Sequence, residues 1–249
     1  TLSSSSAASD VYKRQVNDWF DRHVDAINEP HRPIPSGRIP GRWGLWIAIA
    51  WTVLSLALST VLGVWGVAAA AVGLLLAWLY SAPPVRLKRN GWWGNSACAL
   101  SYEGLAWITG GIVMALGAFP DARSVGLALL YSAGAHGIMT LNDFKSVQGD
   151  RQMGIGSLPV RLGVDRAARV ASWAMAVPQV VVIALLVHWG QGWHAAGVAG
   201  LLVAQVGLMV WFCADPVKRA LFYSGFGVPL YVCGMLVSAF ALRSAGGGA

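Results

Sequence analysis

Apolar residues gather into seven long runs, near 43–63, 66–82, 94–117, 124–142, 168–189, 194–213 and 220–242. Each approaches the roughly 20 residues that an α-helix needs to cross the hydrocarbon core of a bilayer. Most charged residues and prolines are held to the segments between them. The pattern predicts an all-α fold, a polytopic transmembrane helical bundle with seven spans.

Composition supports the same class. Of 249 residues, 56% are hydrophobic and 12% are charged, about half the charged share of a soluble domain. The net charge of +7 comes from 18 basic against 11 acidic residues. In a membrane protein such an excess marks cytoplasmic loops, so it implies a lipid bilayer as partner and no nucleic acid. Cys98, Cys213 and Cys233 all lie inside apolar runs. An odd number so placed argues against a disulfide framework, and apolar surroundings keep a thiol protonated and unreactive.

The polar segments carry the rest of the organisation. Residues 1–15 are serine-rich and lack an apolar h-region, so they are not a signal peptide. They are expected to be a foreign or disordered N-terminal segment, ahead of a transmembrane domain over 16–249. From Asp25 to Arg42 the chain is a polar loop with Pro30, Pro33 and Pro35 within six residues, a spacing that forbids helix. If the loops at 16–42, 83–93, 143–167 and 214–219 share one side, with the helix edges at Arg42 and Arg169, 16 of the 18 Lys and Arg fall there, counting Lys13 and Arg14. Only Arg123 and Arg243 fall on the other side. The positive-inside rule makes the first side cytoplasmic.

On that side one pattern occurs twice. The first copy runs Asn17-Asp18-Trp19-Phe20-Asp21 and on to Asp25. The second runs Asn142-Asp143-Phe144-Lys145-Ser146 and on to Asp150. Both are Asn-Asp, an oxygen-bearing side chain three residues after that Asp, and another Asp at seven. On a helix these positions share a face, so each copy gathers oxygen ligands. Carboxylates crowded this way repel, and a hard divalent cation relieves the conflict. Mg²⁺ is the expected cofactor, because it accepts a few carboxylates and keeps positions for water and phosphate oxygens. Four predicted spans separate the copies, which puts both on the cytoplasmic face, where they can form one site.

Tyr80-Ser81-Ala82-Pro83-Pro84 ends a predicted span and leads to Arg86, Lys88 and Arg89. Those cations serve as positive-inside anchors or as a diphosphate clamp. Trp43, Trp46, Trp92, Trp93, Trp189 and Trp193 lie near span ends, the place of interfacial aromatic belts. Glu103 and His136 stand inside predicted spans. Ionisable groups at membrane depth are costly and default to functional candidates, and both are candidates for an acceptor pocket. A satisfied interhelical hydrogen bond is the alternative for each.

Two acidic helix ends with cations nearby describe a diphosphate site. Because it belongs to a membrane bundle, its substrate should join a charged head to a long apolar tail. An allylic prenyl diphosphate fits. Cationic groups stabilise the leaving diphosphate as the C1–O bond breaks, and an acceptor attacks the resulting carbocation.

The pattern Asn-Asp-x-x-Asp-x-x-x-Asp at 17–25, followed by Arg32-Pro33-Ile34-Pro35-Ser36-Gly37, resembles the UbiA superfamily of intramembrane prenyltransferases. Gly149-Asp150-Arg151 and Ser157-Leu158-Pro159-Val160 agree with it. The chlorophyll and bacteriochlorophyll synthase branch is similar at Asp25-Ala26-Ile27-Asn28-Glu29-Pro30, Tyr80 to Pro84 and Asn142 to Ser146. Asp21-Arg22-His23 and Ala135 to Thr140 lean toward its bacterial members. The resemblance covers residues 16 to about 242.

The resemblance implies a nine-helix bundle, of which this chain would hold the last seven and lack helix one and most of helix two. Such a truncated chain is expected to lose part of its cavity wall, and with it activity, although its motifs are intact. Ser146 departs from the many relatives that carry aspartate there, a change that suits an anionic acceptor. The implied reaction joins the propionate of a chlorophyllide or bacteriochlorophyllide to a geranylgeranyl or phytyl diphosphate. A carboxylic acid is already ionised at neutral pH, so no general base is required. In this reading Asp18, Asp21 and Asp25 hold one Mg²⁺, and Asp143 and Asp150 hold the other. Asn17, Asn142 and Ser146 support them. Arg32, Arg86, Lys88, Lys145 and Arg151 contact the diphosphate, and Tyr80 touches the phosphate or the cation. The enzyme would lie in a bacterial inner or intracytoplasmic membrane with its active site toward the cytoplasm. The runner-up is a quinone-precursor or haem prenyltransferase of the same fold. A cation-coupled transporter would place its site near the midplane on broken helices, and a pigment-binding protein would leave the acidic motifs unexplained.

Overall fold

The structure, a computed structural model, describes residues 16–23, 25–26 and 30–246. The predicted foreign segment 1–15 and the Asn28-Glu29 pair of the motif-one loop lie outside the described residues. Among the described residues there is no β-strand, only an isolated parallel bridge between Asn90 and Gly156.

Among the described residues, six helical runs are long and apolar enough to cross a membrane, against seven predicted segments. The difference lies in the first run, Trp43–Ser81, whose 39 residues contain the first two predicted segments. Within it, helix α2 (Trp43–Ser59) passes through a 3₁₀ turn (Thr60–Leu62) into helix α3 (Gly63–Ser81). Gly63 has φ 74°, a left-handed conformation that suits a residue without Cβ, and it marks the junction. The other runs differ from their predicted bounds by a few residues, for example Val164–His188 against 168–189. Arg166 and Arg169 are absorbed into the first turns of that helix, because long basic side chains can lie along a helix while their charges reach water.

The chain divides into two compact units, Thr1–Leu87 with Ile112–Phe119, and Lys88–Gly111 with Pro120–Ala249. In the first, residues 16–23 are helical (α1) and α2 packs on α3. Phe20 of α1 meets Trp78 of α3 edge to face, with ring centroids 6.1 Å apart. Gly44 at the start of α2 lies so close to Ile34 that a Cβ there would come within 2.6 Å of its Cδ1. That contact ties the proline-rich loop to the helix base.

The second unit is built on α6 (Ala122–Asp143), α9 (Val164–His188), α10 (Gly192–Ala214) and α11 (Pro216–Gly246), with α4 (Gly91–Ala99) laid against α6 and the short α8 (Leu158–Leu162) against α9. Asn90 caps α4 by accepting from the Trp92 amide at 3.0 Å, and Asp121 caps α6 by accepting from the Ser124 amide at 2.8 Å. Small residues let helices approach closely, as membrane bundles require. A Cβ on Gly137 would collide with the Ala171 carbonyl of α9, and one on Gly134 with the Tyr231 hydroxyl of α11. Polar side chains add interhelical bonds. Gln179 donates to Gln205 at 2.8 Å, Gln205 donates to the Tyr223 hydroxyl at 3.1 Å, and Tyr231 donates to the Tyr131 carbonyl at 2.6 Å.

Candidate active site

In the first unit, α1 places Asp18 and Asp21 one turn apart, helical Asp25 follows just beyond it, and arginines from two later loops meet them. Arg32 donates from one nitrogen, Nη1, to Asp18 Oδ1 at 3.2 Å and to Asp25 Oδ2 at 3.1 Å. Arg86 donates from Nη2 to Asp21 Oδ1 at 3.3 Å. Asn17 reaches Ser81 Oγ at 3.4 Å, at the end of α3. Tyr80, the neighbouring residue, is half-buried. Arg22 turns away from the carboxylates: it donates to the Trp19 carbonyl at 2.8 Å and lies 4.1 Å from the Trp19 ring centre. Arg86 adopts a left-handed backbone conformation, φ 41°, and its buried Nε has no hydrogen-bond partner. Part-exposed ion pairs of this kind contribute about 0–1 kcal/mol each, so a diphosphate or a metal ion can exchange for them at small cost.

In the second unit, α6 ends at Asp143. Buried Phe144 then packs edge to face on Phe212, with centroids 5.4 Å apart. The chain turns into the short helix α7 (Val147–Gln152), which carries Asp150 at 7% exposure. Ser146 donates to Asp150 Oδ2 at 2.9 Å. Asn95 of α4 donates to Asp143 Oδ2 at 3.0 Å and to Thr140 Oγ1 at 3.2 Å. The negative charges of Asp143 and Asp150 oppose one another. Lys145 makes a long 3.5 Å contact with Asn142 Oδ1, and Lys145, Asn142 and Arg151 are exposed. Lys88 is half-buried, in the 3₁₀ turn Leu87–Arg89. That turn is knitted to the motif-two loop by the Gly91 amide on the Gly156 carbonyl at 2.8 Å and the Gly156 amide on the Arg89 carbonyl at 2.9 Å. A Cβ on Gly91 would come within 2.5 Å of the Leu158 nitrogen, so only glycine permits this approach.

The two ionisable groups within spans occupy different settings. Glu103 lies in a π-helical turn, Leu100–Gly104, that joins α4 to α5 (Leu105–Met114). Such bulges often mark functional positions. His136 of α6 is 9% exposed, with Nδ1 at 3.1 Å from Ser96 Oγ and its ring stacked on Trp92 at 5.5 Å. Its Nε2 is buried without a partner.

Among the described residues, no three His, Cys, Asp or Glu side chains converge on one point. Asp18 and Asp25 share one guanidinium, and Asp21 faces another. The donor chemistry nevertheless fits Mg²⁺. Arg32 Nη1 stands between two carboxylate oxygens, where a cation would stand. Asp143, Asp150 and Ser146 likewise offer hard oxygen atoms, and water and phosphate oxygens ordinarily complete such a shell.

Sequence reasoning missed Asn95, Thr140, Ser81 and Ser96. Asn95 carried a usable signal, being an amide at the edge of an apolar run that must find a partner. Ser81, Ser96 and Thr140 carried none, because hydroxyls inside helices commonly bond their own backbone. Trp92, expected in an interfacial belt, lies over His136.

The UbiA prenyltransferase family profile matches residues 5–227. The chain is 58% identical over 228 residues to the bacteriochlorophyll synthase 33 kDa chain of Cereibacter sphaeroides, covering 92% of this chain and 75% of that one. It is 52% identical to the bacteriochlorophyll synthase 33 kDa chain of Rhodobacter capsulatus, covering 92% and 76%. It is 41% identical to the chloroplastic chlorophyll synthase of Avena sativa, covering 92% and 62%. A solved structure from work on digeranylgeranylglyceryl phosphate synthase in membranes superposes with a TM-score of 0.76, over 95% of this chain and 82% of that one. At 22% identity, that likeness speaks for the fold alone.

Proposed function

The chain belongs to the UbiA prenyltransferase family, and from that premise we propose that it esterifies the propionate of bacteriochlorophyllide or chlorophyllide with a geranylgeranyl or phytyl group drawn from the corresponding diphosphate. The prenyl C1–O bond breaks, diphosphate leaves with the bonding electrons, and a carboxylate oxygen of the acceptor bonds to C1. The observation that carries the reading is the set of carboxylates held by arginines in motif one, in a chain 58% identical to a bacteriochlorophyll synthase.

The residues have separate tasks. Asp18, Asp21 and Asp25 would hold one Mg²⁺, and Asp143 and Asp150 another, with Asn17, Asn142 and Ser146 in support. When bound, the metal supplies charge stabilisation for the departing diphosphate. Arg32 and Arg86 trade their carboxylates for phosphate oxygens, which suit a forked guanidinium. Lys88, Lys145 and Arg151 add positive charge, and Tyr80 lies beside Ser81, the partner of Asn17. Glu103 and His136 line the acceptor pocket. The acceptor arrives as a carboxylate and needs no base, in keeping with sites built from acids and cations.

The protein is an integral membrane prenyltransferase. We place the site toward the cytoplasm of a bacterial inner or intracytoplasmic membrane, on the side that gathers 16 of the 18 basic residues. The test is turnover by the purified protein with labelled geranylgeranyl diphosphate, Mg²⁺ and bacteriochlorophyllide. Label in a chlorin ester is expected. Label only on an aromatic quinone precursor or on haem, with none on the chlorin, would overturn the assignment.

A further inference from the structure

We propose that His136 is the axial ligand for the central metal of the acceptor macrocycle, with Ser96 fixing the imidazole and Trp92 covering it. This rests on the reading above that the acceptor is a metallated chlorin. Three observations carry it. His136 is 9% exposed, yet its Nε2 has no partner. A buried polar atom left unpaired is costly, so its retention calls for a ligand. Nδ1 is engaged by Ser96 Oγ at 3.1 Å. With the Nδ1 proton given to that oxygen, Nε2 keeps the lone pair, and neutral imidazole held through its other nitrogen is the usual form of a metal ligand. Finally, Trp92 lies flat on the imidazole at 19° and is itself 41% exposed.

Depth along α6 agrees. His136 precedes Asp143 by seven residues, about 10 Å of helix at 1.5 Å per residue. That matches the reach from the centre of a chlorin to the end of its propionate arm. A macrocycle anchored at His136 therefore offers its carboxylate at the level of motif two, where the prenyl diphosphate is bound. Nε2 is closed as well as unpartnered, so the macrocycle enters as the Trp92 side chain turns aside.

The experiment compares binding of zinc bacteriochlorophyllide with its metal-free counterpart to the full-length protein in detergent, without prenyl diphosphate, followed by the absorption bands of the macrocycle. Wild type is expected to bind the metallated form at least tenfold more tightly and to show the band shift of axial ligation. His136→Phe should bind both forms alike, without that shift. In His136→Gly, added imidazole should restore the shift, which a merely structural role for the side chain would not do. An unchanged preference for the metallated form in His136→Phe overturns the proposal, and so does a His136→Gly variant that imidazole leaves unaltered. Equal binding of both forms by wild type removes this ligand and leaves the proposed function intact. Binding of neither by wild type removes both.

Discussion

Asn95 donates a 3.0 Å hydrogen bond to Asp143 across 48 residues of sequence. The same amide bonds Thr140, one turn earlier on α6. One side chain from the edge of α4 thus sets the rotamer of the first carboxylate of motif two. Removing it as Asn95→Leu should raise the Mg²⁺ concentration needed for half-maximal turnover by about 10- to 100-fold, as for other residues that orient a metal ligand. A Mg²⁺ titration of initial rates reads this directly. An unshifted curve would take Asn95 out of that role.

Arg32 bridges Asp18 and Asp25 in the ligand-free protein. Arg32→Gln should raise the KM for prenyl diphosphate by more than about tenfold, because a charged partner of a phosphate is lost. The same change should shift folding stability by only about 0–1 kcal/mol, since the pairs are part-exposed. Steady-state kinetics with a parallel melting curve separates the two. A large loss in Tm with an unchanged KM would make Arg32 a structural residue.

Asp18→Ala and Asp143→Ala should each reduce turnover by about 10² or more, the scale for losing a group that stabilises transition-state charge. Turnover near the wild-type rate in either variant would strike that carboxylate from the site.

Chelation by EDTA should stop the reaction, and readdition of Mg²⁺ should restore it. Ca²⁺ should restore it poorly, because it prefers more oxygen ligands at longer distances. Undiminished turnover in excess chelator would remove the metal from the mechanism.

Gly137→Ala should destabilise the second unit by about 1–3 kcal/mol through overpacking, since the added methyl meets the Ala171 carbonyl of the next helix. Gly200→Ala is the control, because a Cβ there meets nothing within 4 Å. Its helix should hold or gain stability. Melting curves in detergent compare the pair, and equal Tm values would contradict the close α6–α9 approach.

Much of the fold was legible before any coordinates. The apolar runs announced membrane helices, and five of them reappear with ends moved by a few residues. The break between 43–63 and 66–82 was legible too: it falls at Gly63, where φ 74° and ψ −172° leave helical values, and α2 and α3 then pack on each other, with Trp78 donating to Thr52 Oγ1 at 3.2 Å. Within the site, the aspartate spacings were plain, since helical period is a local property. The partners were not. Arg86 meets Asp21 across 65 residues, and nothing in the neighbourhood of either residue says so. Ser96 and Trp92 looked like an ordinary helix hydroxyl and a belt tryptophan until α4 lay against α6.

By itself the chain order determined the class of this protein, its acidic motifs and its charge asymmetry, because hydropathy and i, i+3, i+7 spacing are written residue by residue. Only the tertiary structure decided which cation faces which carboxylate, why Gly91 and Gly137 admit no side chain, and that one buried imidazole nitrogen is left unspent. Those facts arise where helices distant in sequence press together, and packing geometry is a property of pairs of elements that no single segment contains.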